Sequence, residues 1–209
     1  MVTGYVQLLA RRYKSKLDPE ADTFIEYAVD GAKRMQSLIQ DLLSFSRVGT
    51  RGSEMKPVNL EEVFAEAMSN LEMSMNEAGA VVTHDPLPTI HADGTQMMQL
   101  LQNLVANAIK FRGDRAPRIH VSVDKKPRTW YFAVKDNGIG IDKKFFDRIF
   151  IIFQRLHTRG EYQGTGIGLA LCRKIVERHG GKIWVESEPG TGTTFHFTIS
   201  ANLKPDHTS

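Results

Sequence analysis

Asn103-Leu104-Val105-Ala106-Asn107-Ala108-Ile109-Lys110-Phe111 is followed by Asp136-Asn137-Gly138-Ile139-Gly140-Ile141. After these come Gly164-Thr165-Gly166-Ile167-Gly168-Leu169 and Gly190-Thr191-Gly192-Thr193. One glycine-rich turn says little, but four such elements in a fixed order constrain both fold and chemistry. Asn103 and Asn107 are four positions apart in a helical pattern, so both project from one face, and Lys110 lies three further along it. Two amide oxygens on one helix suit a hard cation such as Mg²⁺, which keeps most of its waters and needs few protein ligands. Alone, two helical asparagines would read as solvated surface.

Asp136 closes a strand-like run, Thr129 to Asp136, and stands where a carboxylate can accept a hydrogen bond from an exocyclic amine. Gly138 and Gly140 let the backbone approach a flat ring and reach conformations closed to other residues. By itself, Asp136 could equally be the cap of a tight strand-to-helix turn. Gly164 to Leu169 opens a helix, whose first N–H groups attract phosphate. Between the glycine clusters, residues 142–163 carry Lys143, Lys144, Arg148, Arg155, His157 and Arg159, a cationic stretch suited to an anion or to a solvated loop. Locally, Gly190 to Thr193 reads as a hairpin turn.

Together these motifs resemble the ATP-binding domain of sensor histidine kinases, within the gyrase-like ATPases. The resemblance spans most of the chain, from about Ser37 to Ile199. It implies that Asp136 contacts the adenine amine, with Thr193 nearby, and that Asn107 binds Mg²⁺ while Asn103 and Lys110 face metal or phosphates. It also implies that Gly138 and Gly140 line the base pocket, and that Gly164, Thr165, Gly166, Gly168 and Leu169 form the hinge end of a lid. Arg155 is the lid residue expected to reach phosphate. The family's aromatic lid motif is present as Phe145, Phe150 and Phe153, but Ile151-Ile152 stands where family members carry an acidic residue and a proline. Two exposed isoleucines there would be odd unless they pack under the lid or mark a docking surface. ATP and Mg²⁺ are the expected ligands. No Gly-x-x-x-x-Gly-Lys-Ser/Thr loop occurs, and no Gly-x-Gly-x-x-Gly follows a strand, which disfavours P-loop and dinucleotide folds.

Upstream, residues 2–14 read as a helix, and Asp18-Pro19 as the capped start of a second. The second helix carries Phe24, Ala28, Gly31, Met35, Leu38, Leu42 and Phe45 at alternating steps of four and three. Such a seam suits a hairpin pairing with a second copy as a four-helix bundle, or packing on the chain's own second domain. The expected fold is therefore α+β. A helical hairpin (1–48) and a linker (49–58) precede an α/β sandwich (59–203) whose mixed, largely antiparallel sheet is covered by helices on one face; a disordered tail (204–209) follows. Within the sandwich, Asn59-Leu60-Glu61-Glu62 is a capping box opening a helix to about Glu77. Strands are expected at Val81–His84, Arg118–Asp124, Thr129–Asp136, Lys182–Glu188 and Thr193–Ile199, and helices at 95–111 and 167–179.

Bulk properties narrow the function. A net charge of +3, with 24% charged residues, does not make a nucleic-acid face. No apolar run approaches a membrane span, and the single Cys172 has no disulfide partner in the chain, which fits the cytoplasm. The resemblance implies a homodimer, a response-regulator receiver partner and sensor domains upstream. It also implies an acceptor histidine followed by an acidic residue and a proline, and none of His84, His91, His120, His157, His179, His196 or His207 has that context. The chain is thus expected to begin past its acceptor and to be unable to phosphorylate itself. Two other readings stay open: a non-catalytic ATP-binding module that regulates a partner kinase, and an ATPase or serine kinase of the same superfamily. The hairpin and the order of motifs weigh against the last.

Overall fold

The computed structural model describes residues 1–14, 16–50, 54–156 and 164–201. The chain divides into two compact units, Met1–Ser44 and Phe45–Ser209. In the first, helix α1 (Val2–Tyr13) is followed by α2 (Pro19–Thr50), which continues into the second unit. Asp18 caps α2, its carboxylate accepting from the Ala21 N–H at 2.7 Å, with Pro19 at the first helical position. Ile25 and Ala32 are buried, whereas Phe24, Tyr27, Met35, Ile39, Leu42 and Leu43 stay exposed, and α1 buries no residue. Part of the expected seam, Phe24, Met35 and Leu42, is therefore open apolar surface.

The second unit is built on a five-stranded sheet. Its strands are β2 (Val81–His84), β4 (Arg118–Lys126), β5 (Thr129–Asp136), β6 (Ile183–Glu188) and β7 (Gly192–Ser200), in the order β2-β4-β5-β7-β6. β2 pairs with β4 in parallel and all other neighbours are antiparallel. Alternation decides which face is buried: Ile119, Val121, Phe132, Val134, Val185, Phe195, Phe197 and Ile199 all enter the core. Phe132 and Phe197 are cross-strand partners whose rings stack at 4.8 Å. Helices α3 (Leu60–Ala78), α4 (Gly94–Lys110) and α5 (Gly168–Arg178) supply the opposing layer through Phe64, Leu71, Leu100, Leu104, Leu171 and Ile175.

Helix ends follow local chemistry. Asn59 caps α3, accepting from the Glu61 N–H at 3.1 Å, and its amide donates to Glu62 Oε1 at 3.1 Å, a side-chain version of the expected box. Gly79 closes α3 in the left-handed region, at φ 61°. Two strands go beyond the expectation from sequence. β1 (Lys56–Asn59) and β3 (Thr89–Ala92) form a separate antiparallel ribbon. Of the segment read as linker, 49–58, Met55 and Val58 are buried and residues 56–58 belong to β1, while residues 51–53 lie outside the described residues. Phe45 and Val48, expected in the hairpin, pack on the core of the second unit, and Lys174 donates to the Phe45 carbonyl at 2.8 Å. The expected tail, 204–209, is likewise outside the described residues.

Candidate functional site

β5 ends at Asp136, and the backbone that follows is held from three sides. Asp136 Oδ1 accepts from the Gly138 N–H at 2.8 Å and from the Thr193 N–H at 3.1 Å. Both bonds fall on one oxygen, so Oδ2 carries no hydrogen bond among the described residues. Burial pushes the Asp136 carboxyl above its ordinary value, opposed by those two N–H groups. The chain leaves β5 under the C-terminal end of α4, where Ile139 N–H donates to the Phe111 carbonyl at 3.0 Å. Gly140 has φ +73°, and a Cβ there would meet the Glu188 carbonyl oxygen. Gly192, at φ +136°, approaches the Asp136 carbonyl equally closely. These glycines are required by contact between two backbones, the loop after β5 and the β6–β7 turn.

Hydrogen bonds stitch those loops together. The Gly190 N–H donates to the Ile139 carbonyl at 2.7 Å, and the Ile141 N–H to Ser187 Oγ at 2.8 Å. Ser187 Oγ in turn donates to the Gly192 carbonyl at 2.7 Å and lies 3.0 Å from Thr193 Oγ1. Thr193 is buried. Arg115 reaches the carbonyls of Asn137 and Gly190 at 3.3 Å each, and Asn137 bonds the Arg118 N–H and the Ala116 carbonyl. Sequence reading misses Ser187 and Arg115, whose partners are distant in sequence and which belong to no short motif.

α4 presents a second set of groups. Asn103 and Asn107 are both half-buried. Asn103 donates to the Gln99 carbonyl at 2.8 Å, so its Oδ1 points away, and a Cβ on Gly168 would come within 2.9 Å of that oxygen. The Asn107 side chain makes no hydrogen bond among the described residues. Lys110 Nζ lies 4.4 Å over the Phe111 ring and 2.6 Å from the place a Cβ would take on Gly164. Burial, and then the Arg155 guanidinium, lowers the Lys110 pKa below its ordinary value. Asn103, Lys110, Arg155, Gly164 and Gly168 are thus brought together, although 45 residues separate Lys110 from Arg155 in sequence.

α5 begins without a side-chain cap: Ile167 precedes it, and its first N–H groups meet no capping oxygen from that residue. Thr165 Oγ1 accepts from the Ile167 N–H at 3.4 Å, and Leu169 is half-buried in the first turn. Gly166, at φ +76°, accepts at its carbonyl from the Phe153 N–H at 2.9 Å, and Phe153 itself sits at φ +64°. Phe145 and Phe150 pack on the core, while Ile151, Ile152 and Phe153 are exposed. The two isoleucines therefore do not pack beneath this segment. His157 and Arg159 lie outside the described residues. Among the described residues no cluster of three or more His, Cys, Asp or Glu could hold a metal, and no helix is long and apolar enough to cross a membrane.

Residues 92–203 match the family described as histidine kinase-, DNA gyrase B-, and HSP90-like ATPase, and residues 1–51 match the His Kinase A (phospho-acceptor) domain. Cyanobacterial phytochrome A of Nostoc sp. strain PCC 7120 is 54% identical over 198 residues, which are 95% of this chain and 26% of that protein. The chain thus spans about a quarter of that relative's length. The catalytic domain of histidine kinase ThkA superposes with a TM-score of 0.62 at 30% identity, over 71% of this chain and 97% of that domain. ThkA in complex with the response regulator protein TrrA gives a TM-score of 0.68 at 25% identity, over 95% of this chain and 57% of that one.

Proposed function

Because this chain belongs to the histidine kinase-, DNA gyrase B-, and HSP90-like ATPase family and carries a His Kinase A segment before it, we propose that it is the ATP-binding catalytic portion of a sensor histidine kinase. Its role would be to position Mg-ATP for phosphoryl transfer to a histidine. The observation that carries this reading is the Asp136 carboxylate, whose Oδ1 is fixed by two backbone N–H groups while Oδ2 is left as an oriented acceptor. An adenine amino group donates to such an acceptor, whereas the guanine carbonyl at the same position would repel it.

The remaining groups divide by chemistry. Gly138, Gly140 and Thr193 form the base end. Asn103, Lys110 and Arg155 face the triphosphate with Gly164, Thr165 and Gly166, and the uncapped N–H groups of Gly168 and Leu169 receive a phosphate oxygen. Asn107, with an unengaged amide oxygen, fits an octahedral Mg²⁺ that keeps most of its waters. The metal would neutralise charge on the phosphates. Transfer of a phosphoryl group depends mainly on such positioning and neutralisation.

Residues 1–51 contain no histidine, so the acceptor is supplied from outside these residues. The exposed Phe24, Met35 and Leu42 of α2 suit a second copy of the hairpin, giving a homodimer by way of a four-helix bundle. A response-regulator receiver domain as the next phosphoryl acceptor, sensor domains in a longer protein and a cytoplasmic setting complete the proposal. The test is incubation with γ-labelled ATP and Mg²⁺, scoring bound nucleotide and covalent label together. Bound nucleotide without covalent label is expected, and adding a fragment with an acceptor histidine should produce acid-labile, alkali-stable label. Failure to bind ATP would overturn the assignment.

A further inference from the structure

A buried polar joint lies at the opposite end of α4 and α5 from the groups assigned to phosphate. Asp93, which caps α4, is bonded on several sides: Oδ1 accepts from the Gln96 N–H at 3.2 Å, Oδ2 from Arg178 Nη1 at 2.9 Å, and its own N–H donates to His179 Nε2 at 3.0 Å. His179 Nδ1 bonds the Ile175 carbonyl at 2.8 Å. A backbone N–H can only donate and a carbonyl can only accept, so the ring is the neutral tautomer with its proton on Nδ1. Asp93 and His179 are 2% and 0% exposed, and the His179 carbonyl accepts from the Ser200 N–H at the end of β7.

We propose that Asp93, Arg178 and His179 are positioning residues that set the register of α4 against α5, and through it the phosphate end of the nucleotide site. The inference rests on the ATP-binding reading above. The two helices run antiparallel, since the start of α4 meets the end of α5 at the joint, while Asn103 meets Gly168 at the other end. Between these ends the contact is apolar, through Leu100, Leu104, Leu171 and Ile175, and such packing has little directional preference. The directional bonds are at the joint. Asn103 stands ten positions beyond Asp93 in the chain. At the α-helical rise this is roughly 15 Å along a stiff rod. A slip at the joint therefore moves the asparagines against the glycine loop by a similar amount. Asp136 and Thr193 are bonded to each other across β5 and β7, and Ile141 to Ser187 of β6, so the sheet holds most of the base end, which meets α4 at the bond from the Ile139 N–H to the Phe111 carbonyl.

The experiment compares binding of Mg²⁺ with a non-hydrolysable ATP analogue against binding of adenosine. It uses the whole chain, wild type and variants, at a temperature where circular dichroism shows each to be folded. His179→Leu keeps an apolar filling but leaves the Asp93 N–H without its acceptor. It is expected to weaken the Mg-nucleotide about ten-fold, equivalent to about 1.4 kcal/mol, and to weaken adenosine several-fold less. His179→Gln offers an oxygen near the Nε2 position and should restore most of the loss. If His179→Leu does not fold, Arg178→Met at the partly exposed side of the joint reads the same ratio. Unchanged Mg-nucleotide affinity, equal losses for both ligands, or a Gln variant no better than Leu would overturn the proposal. Wild-type protein that binds neither ligand would overturn the ATP-binding reading with it, whereas wild-type binding with unmoved variants removes this inference alone.

Discussion

Asp136→Asn separates recognition of the base from stability of the fold. In the wild-type chain the side chain is oriented by the Gly138 and Thr193 N–H groups, both on Oδ1. Asparagine can keep both bonds only by placing its oxygen there, which forces its NH₂ toward the position an adenine amine would take. A flipped amide would face two N–H donors with a third and lose both bonds, so the orientation is set. Removing a hydrogen bond to a charged acceptor costs about 1.5–3 kcal/mol, and apposing two donors adds about 1 kcal/mol or more of unreturned desolvation. A loss of about 3 kcal/mol corresponds to roughly a hundred-fold weaker ATP binding. Guanine and hypoxanthine nucleotides present an oxygen at this position, so the same variant should narrow or reverse the preference for ATP over ITP. The fold should not suffer. Burial raises the folded-state pKa of Asp136, so ionising it costs more in the fold than in the unfolded chain. Its contribution to stability is fully present below the ordinary carboxylate value and is lost as pH rises through the raised one. The melting temperature of Asp136→Asn relative to wild type should therefore rise between acid and neutral pH. Calorimetric titrations with ATP and ITP analogues, paired with thermal melts at two pH values, measure all of this. Unchanged ATP affinity, or equal losses for both nucleotides, would refute the oriented-acceptor argument.

Other outcomes are expected from the same structure. Asn107→Asp should change nucleotide affinity more with Mg²⁺ than with chelator present, because the side chain's proposed contact is to the metal; equal effects in paired titrations would remove that role. Gly140→Ala combines a left-handed backbone with a Cβ driven toward the Glu188 carbonyl. It should destabilise by more than about 2 kcal/mol in denaturant melts. Leu42→Glu, at a side chain 47% exposed, should leave helicity intact and shift sedimentation toward monomer, an unmoved sedimentation coefficient placing the dimer contact elsewhere. His179 has a folded-state pKa lowered mainly by burial, with the Arg178 cation also lowering it and the Asp93 carboxylate and Ile175 carbonyl raising it. Its neutral form is thus favoured in the fold, and stability is lost as pH falls below the ordinary value of 6.5. His179→Gln should lose less melting temperature than wild type on acidification through that value.

What the sequence discloses depends on the range of the interactions involved. Asp18, Asn59 and Gly79 act on neighbours within a few residues, and the helix ends they mark are readable to within a residue or two. Alternation along Thr129–Asp136 locates β5 because one face alone is buried. β1 and β3 escape such reading because each has four residues, one of them begins inside a stretch that reads as linker, and their pairing joins positions far apart in the chain. The glycine clusters are legible as a set, but the reasons differ from one glycine to the next. Gly79 is needed for its own backbone angle, as the end of α3 shows. Gly140 and Gly192 also have positive backbone angles, but in addition another backbone occupies the space of a side chain, a fact held in how β5 and the loop after it meet β6 and β7 and not in either motif. The same distinction explains the joint at His179. Read alone, it is a histidine near a helix C-terminus, where a positive charge would be favoured by the helix dipole. In the fold it is fully buried, and the Asp93 N–H from 86 positions upstream requires Nε2 to be an acceptor. The long-range donor prevails over the local dipole, because a protonated ring would set two donors against each other inside the core, where no water can take up the second.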